Sequence, residues 1–570
     1  MRTNLACSLI GIALAACGPA SRSNGGDDTN GDGANVCPVC SDDKTAINNC
    51  DGSTTPCNAD QLCSNGECMS GCAAAEANHS SVGCEYYAVD MDAAMGPPKD
   101  ACFTVFVANT SRAPVHIDAE RAGVKLNLAA FAKLPVGSGQ SITYAPYDPV
   151  AGLAPGKVAI LFLAYAPGGG GPLMPNVACP VPAAVGTEAQ IDGTGIGKAF
   201  RITTDLPVVA YQMLPYGGGA AAATGASLLL PTSAWGDNYV AVSAMDPDVA
   251  PPINVGGPSH NFVAKEDGTI VTMRPRSAVA GGNGVPSGVQ GQPMTIMLNK
   301  GEYAQISQSA PLTGSPVSSN KPIGVFGGHQ IMSIDRCCGD HGEQMIAPIR
   351  AVGSEYVAAP HGDRKPTPGE VRVYRIVGAV NETNLTYEPP NVGPAKVNLG
   401  QVLEIRTSEP FVVRSQDDGH PFMMFTYMTG AGEQGEGGWG DADFVRLVPP
   451  KQFLLHYVFF TDPTYPFTVL TVVRKKHNGK FEDVMLDCLG TVSGWTPTGS
   501  SGEYEITFVK LVDHFNGVAG CNNGVRTMDS KGQFGVWVWG WGSEDTNTGW
   551  VSYGYPAGEG VLPINDVIIQ

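Results

Sequence analysis

Residues 327–344, GGHQIMSIDRCCGDHGEQ, gather His329, Cys337, Cys338, Asp340, His341 and Glu343 within fifteen positions. Three chemistries compete for such a stretch. Imidazole nitrogen and thiolate sulfur are zinc ligands, so His329, Cys338 and His341, with Glu343 or Asp340 as fourth donor, would make a metal site and a metal-dependent hydrolase. Cys338 beside His341 would make a thiolate–imidazolium nucleophile. Oxidised cysteines would instead tie a connection between folded units, as a vicinal Cys337–Cys338 bridge or as two separate bridges. The spacing matches neither HExxH nor CxxC, and nothing nearby marks an oxyanion hole. The outcome turns on the compartment and on the elements around the loop.

Other motifs carry less. GTGIGKAF (193–200) has the wrong spacing for a P-loop or a dinucleotide fingerprint, and its glycines serve to turn the chain into the strand beginning at Phe200. VWVWGWG sets Trp537, Trp539 and Trp541 at period two on one strand face. They form either an exposed stacking ladder or a buried sheet face. Burial is the expectation, as it is for Tyr465 and Phe467, which would otherwise form a glycan platform. His260, His361, His420 and His456 form no constellation in sequence.

The first residues are MRTNLACSLIGIALAACGPA. One basic residue, an apolar run from Leu5 to Leu14 and small residues before Cys17 predict a secretory signal peptide over 1–17. The ending Leu14-Ala15-Ala16-Cys17 resembles the lipobox of bacterial lipoproteins, which implies that Cys17 is lipidated. Gly18 rather than Asp after it implies the outer membrane in that family's sorting pattern. Residues 18–36, rich in Gly, Asn, Asp and Ser, read as a flexible tether reaching about 25 Å. Its DDTNGDG lacks the bidentate glutamate of a calcium loop.

The chain has 570 residues and a net charge of −19. That charge argues against nucleic acid, which attracts basic patches. Gly 73 and Pro 44 make about a fifth of the residues and favour turn-dense β structure. No apolar run after the leader approaches the length that spans a bilayer as a helix. Of 16 cysteines, Cys7 falls in the leader and Cys17 ends it. The even remainder in an exported chain predicts disulfides. Cys37, Cys40, Cys50, Cys57, Cys63, Cys68, Cys72 and Cys84 crowd a stretch with little to bury, so residues 37–83 should form a small disulfide module in which bridges replace a core. Cys488 with Cys521, and Cys102 with Cys179, are candidate bridges beyond it.

Three kinds of segment recur in order through the body. The first is a strand with an aromatic start, as in WGDNYVAVSA, VGSEYVAAP and KQFLLHYVFF, whose tyrosines 239, 356 and 457 lie 117 and 101 residues apart. The second is a hairpin, such as NFVAKEDGTIVTMRP with Asp267-Gly268 at its turn. The third closes on a proline, at 207, 322 and 410. These prolines deny a backbone donor and should mark a strand's first residue or an edge. The count is four units of roughly 100 residues, about 84–219, 226–330, 343–430 and 444–560. The expected fold is all-β, with the units as β-sandwiches or jelly rolls and a propeller-like ring as the alternative.

GCEYYAVDMD (83–92), FRITTDLPVVAYQMLPYGGG (200–219), SLLLPTSAWGDNYVAV (227–242), KPIGVFGGH (321–329) and FVVRSQDDGHPFMMFTYMTG (411–430) together resemble the IgGFc-binding protein N-terminal domain, over about residues 84–560. The resemblance implies a large extracellular β domain in an adhesion or interaction setting, here in a bacterial lipoprotein version. His329, Cys338, His341, Glu343 and Gln344 fit the family's pattern. Relatives often carry a further cysteine soon after the first histidine, whereas here Cys337 sits beside Cys338.

The reading is therefore a non-enzymatic surface lipoprotein of the bacterial outer membrane, anchored through Cys17, with no cofactor and an unknown extracellular protein or glycan as partner. The alternative is a metal-dependent outer-membrane hydrolase using His329, Cys338, His341 and Glu343.

Overall fold

The computed structural model describes residues 37–41, 44–93, 98–137, 141–169, 176–220, 223–245, 256–335, 338–365 and 369–569. The leader, the tether, Cys17 and Cys337 lie outside the described residues. The fold is nearly all-β, with a disulfide-rich module at its start.

Four sheet systems follow one another along the chain, and each is organised around one long strand. In unit I this is Phe200–Leu214, in unit II Pro316–Ser333 and in unit IV Gly524–Trp541. In unit III it is interrupted, as Val412–Arg414 and Phe422–Met428. The first half of each long strand pairs with an opening strand: Gly83–Ala88, Gly236–Val240, Glu355–Val357 and Leu454–Thr461. The second half pairs with an inner strand: Phe103–Asn109, Pro258–Ala264, Arg372–Gly378 and Phe467–Lys475. On the other side of the second half runs a closing strand: Gly225–Leu229, Gly339–Met345, Asp443–Arg446 and Ser552–Pro556. The long strand thus belongs to two layers and must bend where it changes partner, as corner strands of sandwiches do.

That bend explains the recurrent prolines and tyrosines. Pro207 and Pro322 lie inside their long strands, beside register shifts, and not at a strand's first residue. Pro410 precedes Val412–Arg414. A residue without an N–H costs nothing where the ladder is already broken, so the placement at an end or edge is corrected to a mid-strand bend. The tyrosine of each opening strand satisfies the backbone there. The hydroxyl of Tyr239 accepts from Gly236 N (2.9 Å) and donates to Ile323 O (2.7 Å). Tyr457 accepts from Leu454 N (3.0 Å) and donates to Phe534 O (2.5 Å). Tyr356 accepts from Gly353 N (3.2 Å), and in unit I the same position is Tyr86, which bonds Val208 O (2.6 Å).

The units close into a ring. The closing strand of unit I packs against those of units II and IV, and the closing strand of unit III packs against the same two. The units are sandwich-type sheets and half-barrels, and their four closing strands pack around a common axis. Apolar packing joins the neighbours. Phe106 meets Phe460 (5.0 Å between rings) and Tyr211 meets Tyr555 (4.8 Å) between units I and IV. The second core runs through units II and III, and the third joins III to IV. Ser81 N donates to Glu559 O (2.8 Å), so the end of unit IV is stitched to the start of unit I.

In the N-terminal module Cys37 bonds Cys50, Cys40 bonds Cys63, Cys57 bonds Cys68 and Cys72 bonds Cys84. Its one helix, Gly71–Asn78, is capped by Ser70, whose side chain accepts from Ala73 N. The helix lies against the bend of unit I, where Gly71 approaches Pro207 so closely that a Cβ would stand 2.7 Å from the proline ring. Cys102 bonds Cys179 and Cys488 bonds Cys521.

Candidate functional site

The stretch 327–344 is not a surface loop. It is the second half of the long strand of unit II returning as the closing strand at the ring axis. His329, Asp340, His341, Glu343 and Gln344 are all buried. Period-two geometry splits them: His341 and Glu343 lie on one face of the closing strand, with Asp340, Gly342 and Gln344 on the other.

Asp340 is the hub. Its Oδ1 accepts from Thr224 N and from His341 N (3.1 Å), and its Oδ2 accepts from Ser552 N (3.0 Å). Thr224 adjoins the closing strand of unit I and Ser552 opens that of unit IV, so one carboxyl joins three units. Thr224 Oγ1 donates to Ser552 O, and Ser552 Oγ donates to Asp441 O (2.9 Å), bringing in unit III. Gln344 reaches Ala226 O (2.9 Å) and Gly554 O (3.1 Å). Arg446 Nε donates to Met345 O (3.1 Å) while its guanidinium pairs with the buried carboxylate of Glu559.

Electrostatics make this interior close to neutral. Burial, with Asp441 and Asp443 nearby, pushes the Asp340 carboxyl well above the usual range. Burial lifts Asp441 to about 7. Burial raises Glu343 to about 8 against the Gln212 amide, which donates to its Oε2 at 2.7 Å, and the Asp90 charge adds to the rise. Asp90 itself stands at about 8, from burial and then Asp100. Burial pushes His329 and His341 down to about 4, so both imidazoles are neutral. Several atoms of the seam between units I and II have no hydrogen-bond partner among the described residues, among them Glu343 Oε1, His341 Nε2, Asp90 Oδ1 and the Nδ2 and Oδ1 of Asn261. A carboxyl that keeps its proton avoids the much larger cost of an unpaired buried charge.

The proposed ligand set His329, Cys338, His341 and Glu343 is not brought together as one. Cys338 is disulfide-bonded and so offers no thiolate for a metal or a nucleophile. His341 Nδ1 faces Gln330 O (3.3 Å), and Glu343 is engaged by Gln212. No group of three or more His, Cys, Asp or Glu side chains among the described residues is arranged to hold a metal ion. The metal and nucleophile readings are corrected accordingly: strand pairing, not ligation, explains the cluster.

The remaining motifs are structural as well. Trp537, Trp539 and Trp541 are fully buried between units III and IV, with Trp537 Nε1 donating to Arg446 O (3.1 Å). Tyr465 and Phe467 are buried too. Gly195 and Gly197 do not turn the chain toward Phe200 but lie within a strand of their own, Gly195–Lys198, that crosses from unit I to pair with Glu302–Gln305 of unit II. His361 does enter a constellation that sequence order conceals. It stands 3.7 Å from Glu370, which Arg364 Nε holds at 2.8 Å, while Arg372 bonds Asp363 at 2.6 Å. Burial opposes ionisation of Glu370, but His361 and the Arg364 guanidinium hold it down at about 2. The hub was missed for want of one signal: Asp340 and Asp441 each stand eight residues before the proline that leads to the next unit, Pro348 and Pro449. Aligning the closing strands on those prolines exposes the pair.

No curated protein matches the chain. A family match begins with the closing strand of unit I and ends inside the long strand of unit IV, and so contains Asp340 and Asp441 of the hub but neither Thr224 nor Ser552. Over residues 225–540, more than half of its length, the chain matches the family described as IgGFc binding protein, and it belongs to that family.

Proposed function

We propose that this protein is a non-enzymatic binding scaffold of the bacterial cell surface, lipid-anchored at Cys17 in the outer membrane and presenting the loops of its ring to an extracellular protein or glycan. One observation carries the reading: the dense set of reactive side chains noted in the sequence is consumed in closing the ring, with Asp340 and Gln344 bonded to the neighbouring units, Glu343 held by Gln212 and Cys338 oxidised. What the fold leaves to act with is its outer surface, and membership in a family described by binding supports that role. Each unit sends loops outward from the same bent-strand frame, a rigid scaffold of the kind on which binding loops recur. Residues 18–36 would hold the ring off the membrane on a chain reaching about 25 Å.

The test is capture on the full chain. The purified protein is immobilised, and immunoglobulin Fc, a panel of extracellular proteins and a glycan array are passed over it. Saturable binding that survives chelation but is lost on unfolding supports the reading. Absence of binding from every arm, together with hydrolysis of ester or peptide probes by the same preparation, sinks it. Lipidation is checked separately: palmitate labelling is expected in the intact chain and lost in Cys17→Ala.

A further inference from the structure

Where unit II meets unit III, a cleft of about 340 Å³ is lined by Arg274, Pro275, Arg276, Gln290, Leu399 and Pro316, with the backbone of Gly291 and Gly314. We propose that this cleft is a binding subsite for a carboxylate- or sulfate-bearing saccharide, gripped by the guanidinium groups of Arg274 and Arg276. The inference rests on the binding reading and deepens it by naming a ligand class and a place.

Charge is the first support. No carboxylate lines the cleft, and neither arginine joins an ion pair among the described residues, in a chain whose net charge is −19. Most other arginines of the described residues face an acid: Arg201 with Glu85, Arg414 with Glu355, Arg474 with Glu505. Among the described residues the Arg276 guanidinium bonds only carbonyls, Thr313 O (3.2 Å) and Gly400 O, which orient it without cancelling its charge. The Arg274 side chain is exposed.

Preorganisation is the second. Arg274 N donates to Pro316 O (3.0 Å), Gly291 N donates to Pro275 O (2.8 Å), and Arg276 N donates to Ser315 Oγ (3.0 Å). The Arg-Pro-Arg segment is thus fixed on both sides before any ligand arrives, and both of its arginines line the same cleft. The floor is equally fixed. A Cβ on Gly314 would stand 2.3 Å from Gly400 Cα, and both residues hold positive φ (+89° and +73°), so only glycine lets the two units meet there.

Shape and lining give the ligand class. Pro275, Pro316 and Leu399 offer apolar walls for the face of a sugar ring, while Gln290 and the peptide groups serve hydroxyls. The volume sits at the small end of the roughly 300–1,000 Å³ usual for ligand sites. Forked guanidinium groups fit planar or trigonal oxyanions better than a point charge would.

The test uses the full chain with glucuronic acid, glucosamine 6-sulfate and neutral glucose as separate probes, read by saturation-transfer NMR and calorimetry. One or both acidic probes should bind at least tenfold more tightly than glucose, with affinity falling as salt rises, and the stronger acid arm tells carboxylate from sulfate. Arg274→Ala should lose at least tenfold while melting as the parent does, because that side chain is exposed at the cleft wall. Arg274→Lys should retain charge but recover only part of the affinity. The inference is overturned if no acidic probe binds up to about 10 mM, the range of weak ligands. Equal binding of glucose, or indifference to Arg274→Ala, overturns it as well. Such a failure leaves protein capture untouched, so it is distinguishable from failure of the scaffold reading.

Discussion

Replacing Glu343 by Gln should flatten part of the pH dependence of stability. In the fold Glu343 has a pKa of about 8, against 4.5 ordinarily, because burial and the Asp90 charge penalise its ionised form. A carboxyl whose folded pKa stands above its unfolded one stabilises fully below the unfolded value, and that contribution is lost as pH rises through about 8. The loss runs at roughly 1.4 kcal/mol per pH unit and totals about 5 kcal/mol over the window. Gln copies the protonated form: its carbonyl can accept from Gln212 Nε2, as Glu343 Oε2 does at 2.7 Å. Parent and Glu343→Gln should therefore be close in stability near pH 5 and diverge by roughly 1.4 kcal/mol per unit above it, with the variant the more stable at pH 8. The difference between the two proteins is the quantity to follow, because four buried histidines oppose the trend in the parent. His260, His329, His341 and His361 stand at about 4, against 6.5 ordinarily, so their contribution is present above 6.5 and lost as pH falls toward 4. Those terms cancel in the difference. Urea midpoints from pH 5 to 8.5 measure it. Parallel curves, or a variant that weakens as pH rises, would refute the claim that Glu343 is buried with its proton.

Two further outcomes follow from geometry. Tyr457→Phe removes the hydroxyl that serves Leu454 N and Phe534 O, leaving a buried donor and acceptor at the bend, and should cost roughly 2 kcal/mol in unfolding midpoint. An unchanged midpoint would mean the tyrosine packs the bend without satisfying it. Removing the Cys488–Cys521 bridge by a double change to Ala should lower stability by roughly 3–4 kcal/mol, the loop-closure value for cysteines separated by 33 residues, under non-reducing conditions only. A parent that melts identically with and without reductant contradicts it.

The sequence disclosed the repeat because the residues that shape each unit act within it. Tyr239, Tyr356 and Tyr457 serve bends of their own units, and the period-two strands bury faces of their own sheets. Tyr86 escaped the alignment because unit I begins within GCEYYA, without the proline lead of the others. The positions of Pro207 and Pro322 were legible, but their role was not, since a missing donor reads alike at an edge and at a bend inside a long strand. The hub was illegible for a different reason. Asp340 finds its donors at Thr224 and Ser552, 116 and 212 residues away, and no periodicity records a meeting between units. A dense run of His, Cys, Asp and Glu looks like chemistry when read locally, and only the ring shows that its partners are backbone N–H groups.

That long-range pairing bears on why the ring closes in one order. Four units with the same bent-strand frame have closing strands of one shape, so apolar packing alone would distinguish their neighbours weakly. The axial groups are not all alike: Thr224 in I and Ser552 in IV donate their backbone N–H groups to the Asp340 carboxyl of II, and Ser552 Oγ donates to the Asp441 carbonyl of III. Buried polar groups of this sort specify arrangement at some cost in stability. Asp340→Ala would leave the backbone donors of Thr224, His341 and Ser552 without their acceptor, at about 1–3 kcal/mol for each. Asp340→Asn retains one acceptor oxygen for Thr224 and His341 but turns an amide toward Ser552 N, so its loss should be intermediate. If Asp340 sets the order, the Ala variant should also lose single-transition unfolding, with unit II parting from units I and IV before the whole melts. Hydrogen exchange at Ser552 and Thr224 reads this directly. A variant that weakens yet still melts in one step, with both amides protected to the end, would leave Asp340 a contributor to stability and assign the order of closure to the apolar cores.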